Sequence, residues 1–193
     1  MENTFRIEVF TEIFDTRAET RKKKLINSGI DNIHDVWLAD IYTINKKYTP
    51  FELDKIASSL SNPVTQTAFI QSAKNTKTYN FDWAIEIGFL PGVTDNVAHT
   101  VKEIIEDLIK NKFYEDEDVY TSQVTYIKGE INYAEIKQIA ADLYNPLIQR
   151  VHIKNKKQFT KDHGMDTVIP KVKLDQKTKV TYVDLNVSDA ELI

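Results

Sequence analysis

Apolar positions recur along the chain in two stretches that share one pattern. Residues 53, 56, 57 and 60 follow the i, i+3, i+4, i+7 spacing of one helix face, and residues 136, 139, 140 and 143 do the same. The two sets lie 83 positions apart, and each precedes an Asn-Pro pair, at Asn62 and at Asn145. Because proline disfavours the helical conformation of the residue before it, we predict that each helix stops at this asparagine. Strand-like segments follow over 64–70 and 147–153.

The same offset extends upstream of the two helices. Segments 36–44 and 119–127 are both rich in β-branched and aromatic residues, as strands are. Ala39-Asp40 in the first segment and Ser122-Gln123 in the second are either tight turns or simple bends. The preferred interpretation is a turn, which divides each segment into a β-hairpin.

The front of the chain completes the repeat at a slightly different spacing. Ile7-Glu8-Val9 resembles Ile85-Glu86-Ile87 at an offset of 78, so five residues enter the second copy further along. We place this insertion in the acidic stretch 114–118, because added loop length costs little free energy.

A helix is predicted after each front strand. In the first copy Asp15 can cap this helix, which should end near Gly29. In the second copy the apolar stripe is stronger, and Thr94 or Asp95 can cap its start.

Each copy therefore reads β-α-β-β-α-β, the order of the ferredoxin-like split βαβ arrangement. A single unit of this size has only a marginal core, so we predict that the two copies pack together as a pseudo-dimer. The predicted fold class is α+β, with two tandem ferredoxin-like βαββαβ units and a C-terminal extension. The predicted boundaries are 1–71 for the first repeat, 72–80 for a linker, 81–155 for the second repeat and 156–193 for the extension.

The extension has a pattern of its own. It is polar up to Asp166, and strand-like runs follow at 168–170 and 180–185. Ser188 followed by Glu191 has the spacing of a capping box, for a helix that has no room to form. We therefore expect the chain to be part of a longer polypeptide.

Composition and charge narrow the class of protein. The 193 residues are 41% hydrophobic and 28% charged, which is typical of globular domains. No apolar stretch has the length of a membrane span, and the first residues lack a signal-peptide pattern. We therefore expect a cytoplasmic protein with no membrane partner. The net charge of −4 disfavours nucleic acid as a partner, since phosphate-binding surfaces are basic.

The sequence contains no residue pattern that indicates a catalytic site. Cysteine is absent, which excludes disulfides, thiolate metal sites and a cysteine nucleophile. The four histidines, at 34, 99, 152 and 163, lack the spacing of metal ligands, and the five glycines form no phosphate-binding loop. We therefore expect no catalytic residue, no cofactor-binding residue and no metal site, and no enzyme activity of this chain alone.

One segment is a candidate site, namely Leu90-Pro91-Gly92-Val93-Thr94-Asp95-Asn96. It joins a strand to the start of a helix, and Pro-Gly is a type II turn signal. The simplest interpretation is an ordinary capped turn. The amides of the helix start could instead hold an anion, and the apolar residues of the turn could form a partner interface. Trp37 and Trp83 are interpreted as packing residues rather than as ligand-stacking residues.

Several motifs of the second copy resemble a known enzyme family. Phe89 to Val97, Val119-Tyr120-Thr121-Ser122 and Asn145-Pro146-Leu147-Ile148-Gln149-Arg150 are similar to the N-terminal region of the large, single-chain phosphoribosylformylglycinamidine synthases. Each copy also resembles PurS, the small subunit found where this enzyme is split into separate chains. The resemblance covers about residues 5–153, and Phe14-Asp15-Thr16 replaces the candidate turn in the first copy. The tail after residue 182 resembles the entry to the linker domain of these enzymes.

The resemblance implies a role in de novo purine biosynthesis. These enzymes are glutamine amidotransferases of the ligase class, which use ATP, magnesium and glutamine to amidate formylglycinamide ribonucleotide, and their catalytic sites lie in later domains. The resemblance implies that this chain is a non-catalytic assembly domain. Its implied partners are the synthetase, linker and glutaminase domains, which it would bridge, and it would help ammonia transfer between them. ATP and magnesium are expected for the parent enzyme and no cofactor for this chain. The alternative is a regulatory domain of paired ferredoxin-like units that binds a ligand between the copies.

Overall fold

A computed structural model describes residues 4–70 and 80–171 and shows a mixed α+β fold with one six-stranded antiparallel sheet and five helices. The strands are β1 (Thr4–Thr11), β2 (Ile33–Asn45), β3 (Gln66–Ile70), β4 (Trp83–Phe89), β5 (Asp118–Gly129) and β6 (Gln149–Asn155). The helices are α1 (Thr16–Asn27), α2 (Pro50–Ser59), α3 (Asn96–Ile109), α4 (Tyr133–Leu143) and α5 (Lys156–Lys161). Within these described ranges, no helix has both the length and the apolar character that a membrane span requires.

The strand order of the sheet is symmetric about its centre. It runs β3-β1-β2-β5-β4-β6, so each half of the chain supplies three neighbouring strands and the halves meet where β2 pairs with β5. This central ladder aligns Asp40 with Gln123, which are equivalent positions of the 83-residue repeat. The Gln123 amide donates a hydrogen bond of 2.8 Å to the Asp40 carboxylate. We refer to these two residues as the central pair.

Two apolar cores lie on one face of the sheet, and each contains residues from both halves of the chain. The first core is covered by α1 and α4, with Leu25 and Ile139 among its buried members. The second is covered by α2 and α3, with Ile56 and Ile105 fully buried. A helix from one half therefore shares a core with a helix from the other, and each half supplies only part of either core.

The opposite face of the sheet carries an aromatic cluster. Phe10 of β1 and Tyr126 of β5 are buried there, on positions that alternate with those of the two cores, together with Phe81, which precedes β4. Phe159 of α5 packs edge-on against Phe81, with ring centroids 5.0 Å apart, and Met165 is buried in the same cluster. The chain that follows β6 therefore covers part of this face.

The structure confirms the predicted helix caps. The Asp15 carboxylate accepts a hydrogen bond from the Arg17 amide at the start of α1, and the Asp95 carboxylate accepts one from the Ala98 amide at the start of α3, each 2.9 Å long. Gly29, with a φ of 94°, follows the C-cap of α1. These local signals act over three residues or fewer, so the sequence alone identifies them.

The two Asn-Pro turns contain the same hydrogen bonds. The Asn62 side chain accepts a bond of 2.9 Å from the Val64 amide, and the Gln66 side chain accepts one of 2.8 Å from the Asn62 amide. Asn145 makes the equivalent bonds, of 3.0 and 2.8 Å, with the residues two and four positions further on. The repeat in the sequence is therefore also a repeat of local geometry.

These turns also shift the predicted boundaries. The two helices end at Ser59 and Leu143, before the asparagines, and the strands start at Gln66 and Gln149, two residues later than predicted. The physical reason is that each asparagine side chain accepts a hydrogen bond from the amide two residues further on. This bond holds the backbone in a turn, which competes with the last hydrogen bonds of the helix.

The predicted hairpins are wrong. Ala39-Asp40 and Ser122-Gln123 lie inside the continuous strands β2 and β5, so each half reads β-α-β-α-β. These residues occupy the middle of the central ladder, and each strand has a second neighbour on its other side. Pairing along both edges holds the backbone extended at a position where the sequence suggested a turn.

The extension differs from its prediction as well. Residues 156–161, in the stretch described only as polar, form a short helix, α5, and residues 168–170 belong to no strand. The predicted strand at 180–185, the capping box at Ser188 and most of the predicted linker 72–80 lie outside the described residues.

The five extra residues of the second copy lie in two places. Glu8 and Glu86 are 78 positions apart, the caps Asp15 and Asp95 are 80 apart, and the central pair is 83 apart. Two extra residues therefore lie in the turn before α3, and the other three lie between the cap of α3 and the middle of β5. The prediction that placed all five at 114–118 is wrong in part, because it overlooked the longer turn.

A buried lysine attaches the acidic loop 114–118 to the sheet. The Lys46 ammonium, 4% exposed, donates hydrogen bonds to the Glu117 carboxylate at 2.5 Å and to the Lys112 carbonyl at 2.6 Å. It also lies 5.1 Å from the centroid of the Phe113 ring. Hydrogen bonding to Lys46 holds the pKa of Glu117 below its usual value.

We expect the chain to lose stability on acidification and the Glu117→Gln variant to lose less. Because the folded pKa of Glu117 is lowered, the unfolded chain binds the proton first. The stabilisation is complete above the usual glutamate pKa of about 4.3 and is lost as the pH falls through the folded value. Urea unfolding at a series of pH values measures the pH dependence of the free energy of unfolding. Glu115→Gln, an exposed change in the same loop, is the control, and equal pH dependence of the two variants would contradict the assignment.

Candidate functional site

The candidate turn 90–96 has the geometry that its sequence predicts. The Val93 amide donates to the Leu90 carbonyl at 3.2 Å, and Gly92 has a φ of 82°, which is the conformation of the third residue of a type II turn. The Leu90 amide donates to the Ile148 carbonyl at 3.0 Å, which ties the turn to the chain before β6. Pro91, Gly92 and Thr94 are exposed, whereas Leu90 and Val93 are half-buried.

Asp95 anchors this turn to the centre of the sheet. One carboxylate oxygen accepts from the Ala98 amide of α3, and the other accepts from the Thr121 amide and hydroxyl of β5, at 2.9 and 2.8 Å. The first amides of α3 thus already face a carboxylate. Of the three interpretations of the turn, this arrangement agrees with the ordinary capped turn.

The surroundings of the turn are acidic. A hollow of about 360 Å³ lies between the turn and β5, and Asp95, Asp118, Tyr120 and Pro170 line it. Burial, together with the Asp118 carboxylate, raises the pKa of Tyr120 to about 12. Two carboxylates in this hollow oppose the binding of an anion.

The structure confirms that the two tryptophans are packing residues. The Trp83 indole packs against the first core and donates a hydrogen bond of 2.9 Å to the Ile131 carbonyl. Trp37 packs against the aromatic cluster on the opposite face.

Sequence reasoning missed a buried ion cluster that joins the two halves. Arg6 of β1 donates to the Glu8 carboxylate at 2.8 Å and forms two hydrogen bonds, of 3.0 and 2.9 Å, with the Glu86 carboxylate of β4. None of the three side chains is more than 2% exposed. Burial opposes the charge of Arg6, but the two carboxylates outweigh it and hold the arginine pKa above its usual value. We call these three residues the ion cluster.

Neighbouring residues of β5 and β6 complete this cluster. The Ser122 hydroxyl donates to Glu86 at 2.6 Å, and the Arg150 guanidinium lies 4.0 Å from the same carboxylate. A side chain at Gly88 would meet Arg150 at 2.9 Å and Ser122 at 3.1 Å, so glycine leaves room for the arginine to cross the strand. The sequence signal for this cluster was that Glu8 and Glu86 occupy equivalent repeat positions.

A second missed feature is a cavity of about 290 Å³ on the helical face of the sheet, beside the central pair. We call it the central cavity. Its wall combines polar groups from both halves with apolar side chains, including Arg21, Asp40, Tyr42, Val97, Gln123 and Leu143. Arg17 of α1 donates to Asp40 at 2.8 Å at its edge.

Residues 4–70 and 80–171 contain no group of three or more histidine, aspartate or glutamate side chains arranged to hold a metal ion. A comparison with protein-family models and a search of curated proteins both give no match for this sequence.

Proposed function

We propose that this chain is a non-catalytic structural and assembly domain of a phosphoribosylformylglycinamidine synthase. In this proposal it consists of two tandem PurS-like units packed as a pseudo-dimer, and in each unit one continuous strand replaces the hairpin of the ferredoxin-like order. It holds the synthetase, linker and glutaminase domains together in the cytoplasm and helps ammonia pass between them. ATP and magnesium act in those other domains.

The observation that carries this proposal is the anchored turn 90–96. It lies in the segment that most resembles the family, and Asp95 holds it rigidly against β5 while its tip remains exposed. Val97, which follows the turn, is 55% exposed, and Leu147 after the second Asn-Pro pair is 84% exposed. Exposed apolar side chains beside a rigid turn are a common feature of protein interfaces.

The symmetric strand order supports the pseudo-dimer part of the proposal. Each half supplies three neighbouring strands and one helix to each core. The equivalent residues Asp40 and Gln123 face each other where the halves meet. This is the arrangement expected when two copies of one unit associate about a twofold axis.

The experiment is to add this chain to an enzyme of the family from which the N-terminal region has been deleted. We expect it to restore glutamine-dependent activity by a larger factor than ammonia-dependent activity, because only the first needs ammonia to cross between domains. Equal restoration of the two activities would indicate a general folding role and contradict the assembly proposal.

A variant of the turn tests which surface makes the contact. We expect Leu90→Ser combined with Val93→Ser to weaken the restoration about tenfold or more, as the loss of apolar contacts at an interface does. Phe51→Ser, which removes a 68% exposed apolar side chain at the start of α2, is the matched control. Equal activity of the double variant and the control would exclude the turn as the contact.

The alternative function, ligand sensing, receives no support at the turn, where Asp95 and Asp118 oppose an anion. The central cavity, which lies away from the turn, independently supports a ligand-sensing function.

A further inference from the structure

The central cavity lies where the two halves of the chain meet, and its wall departs from the symmetry of the fold. β2 and β5 form its floor, and α1, α3 and α4 contribute side chains to its sides. Tyr42 and Thr125 occupy equivalent repeat positions on opposite sides of the central pair. Thr125 faces Arg21 of α1, but α3 presents the apolar Val97 to the cavity. One side of the cavity is therefore basic and the other is apolar.

Arg21 is the cation of the cavity without a carboxylate partner. One guanidinium nitrogen of Arg21 donates a hydrogen bond of 2.5 Å to the Thr125 hydroxyl. Burial, together with the nearby charge of Arg17, lowers the pKa of Arg21, and the more distant carboxylates of Asp40 and Asp15 offset this only in part. A half-buried guanidinium with one neutral acceptor retains unused N–H donors. An anion in the cavity could accept hydrogen bonds from these donors, which would stabilise the charged arginine.

The other charges of the cavity are already engaged. Both oxygens of Asp40 accept hydrogen bonds, one from Arg17 and one from Gln123, each 2.8 Å long. Thr121, another wall residue, donates to Asp95. Arg21 is therefore the wall cation whose hydrogen bonds leave room for a ligand, and the nearby Asp40 and Asp15 carboxylates, which offset part of its charge, would repel a dianion more than a monoanion.

The remaining wall and the size of the cavity define the body of the ligand. Ile87, Phe89, Val97 and Leu143 provide apolar surface. A volume of about 290 Å³ is at the lower end of the range for ligand pockets, roughly 300 to 1,000 Å³, which suits a small organic acid and is small for a nucleotide. Arg21 and Leu143 also line an outer groove with Arg17 and Lys24, which gives the cavity a basic approach from solvent.

We propose that the central cavity binds a small monocarboxylate with a short hydrocarbon body. Arg21 binds the carboxylate, and Val97 and Leu143 contact the hydrocarbon. The site is built from both halves of the chain, so ligand binding stabilises their association. This inference is independent of the assembly role, and either can fail without the other.

The test is isothermal titration calorimetry of the 193-residue chain with 3-methylbutanoate, its neutral amide and inorganic phosphate. We expect the carboxylate to bind and the amide and phosphate to bind at least about tenfold more weakly. Arg21→Gln should weaken carboxylate binding about 10- to 100-fold, as the loss of a charged hydrogen-bond partner does. Lys23→Gln removes one positive charge from an exposed position of the same helix and should leave binding unchanged.

A second variant keeps the test decisive if Arg21→Gln fails to fold. Val97→Trp fills the apolar side of the cavity from an exposed position and retains the arginine, and we expect it to abolish binding. Three results would overturn the proposal, namely no binding of the carboxylate at millimolar concentrations, equal binding of the amide, or full binding by the Val97→Trp variant. Tighter binding of phosphate than of the carboxylate would also overturn the ligand class.

Discussion

Each half of the chain, residues 1–71 or residues 80–171, should fail to unfold cooperatively when it is expressed alone as a monomer. An equimolar mixture of the two halves should unfold cooperatively. The reason is that each half supplies only part of either core. Ile56 of the first half and Ile105 of the second are both fully buried in one core, and Leu25 and Ile139 share the other. Separation also exposes the central edge of the sheet, where β2 and β5 pair over twelve positions. Circular dichroism during thermal unfolding, with sedimentation to establish the size of the species, measures this.

The control for this experiment is the complete chain cleaved within residues 72–79, which contains both halves in their native arrangement. It should unfold as cooperatively as the uncut chain. A monomeric half that melts cooperatively by itself would show that the halves are independent domains, and it would remove the main support for the pseudo-dimer.

Glu86→Ala should lower the free energy of unfolding by about 3–5 kcal/mol, the typical cost of leaving a buried ionic partner uncompensated. Glu86 is 1% exposed and accepts two hydrogen bonds from Arg6 and one from Ser122. Its removal leaves the Arg6 guanidinium in a dry environment with Glu8 as its remaining carboxylate partner in the cluster. Chemical unfolding monitored by circular dichroism measures the change.

Two comparisons identify the buried charge as the cause. Glu103→Ala, at a 67% exposed position of α3, removes a carboxylate from the surface and should change stability by less than about 0.5 kcal/mol. Arg6→Met combined with Glu8→Gln and Glu86→Gln removes all three charges together. The triple variant leaves Arg150 as the charge next to the cluster, but its side chain is 13% exposed, whereas the Arg6 charge that remains in Glu86→Ala is almost fully buried. We therefore expect the triple variant to lose less stability than Glu86→Ala. The opposite order would mean that the cluster stabilises the fold through its charges themselves.

Local features of this fold were predictable because the residues that make them are neighbours in the sequence. Asp15 and Asp95 cap helices through amides two or three positions away, and Pro91-Gly92 forms the turn that its residue types favour. The repeat was visible because the Asn-Pro turns use the same few residues in each copy. Each of these features depends on contacts within one turn of chain, which a sequence pattern records directly.

The errors have a common physical cause. Ala39-Asp40 was predicted as a turn, and the two ladders that flank β2 hold it extended. The local pattern around Glu8 did not predict a buried charge, and the packed sheet buries Glu8 and Arg6 together with Glu86 of β4. In both cases a distant strand, absent from the local pattern, determines the conformation or the environment of the residue.

The sequence by itself determined the mixed α+β class, the order of most elements, the caps, and the repeat with its 83-residue offset. The tertiary structure decided how the two copies combine, namely that β2 pairs with β5, that each core is shared, and that Arg6 reaches Glu86 in the other half. It also decided the central cavity, whose wall residue Arg21 is held by a hydrogen bond to the buried Thr125, 104 positions away. Such contacts depend on the register and packing of whole elements, and these are set by the sum of many long-range contacts rather than by any segment of the chain.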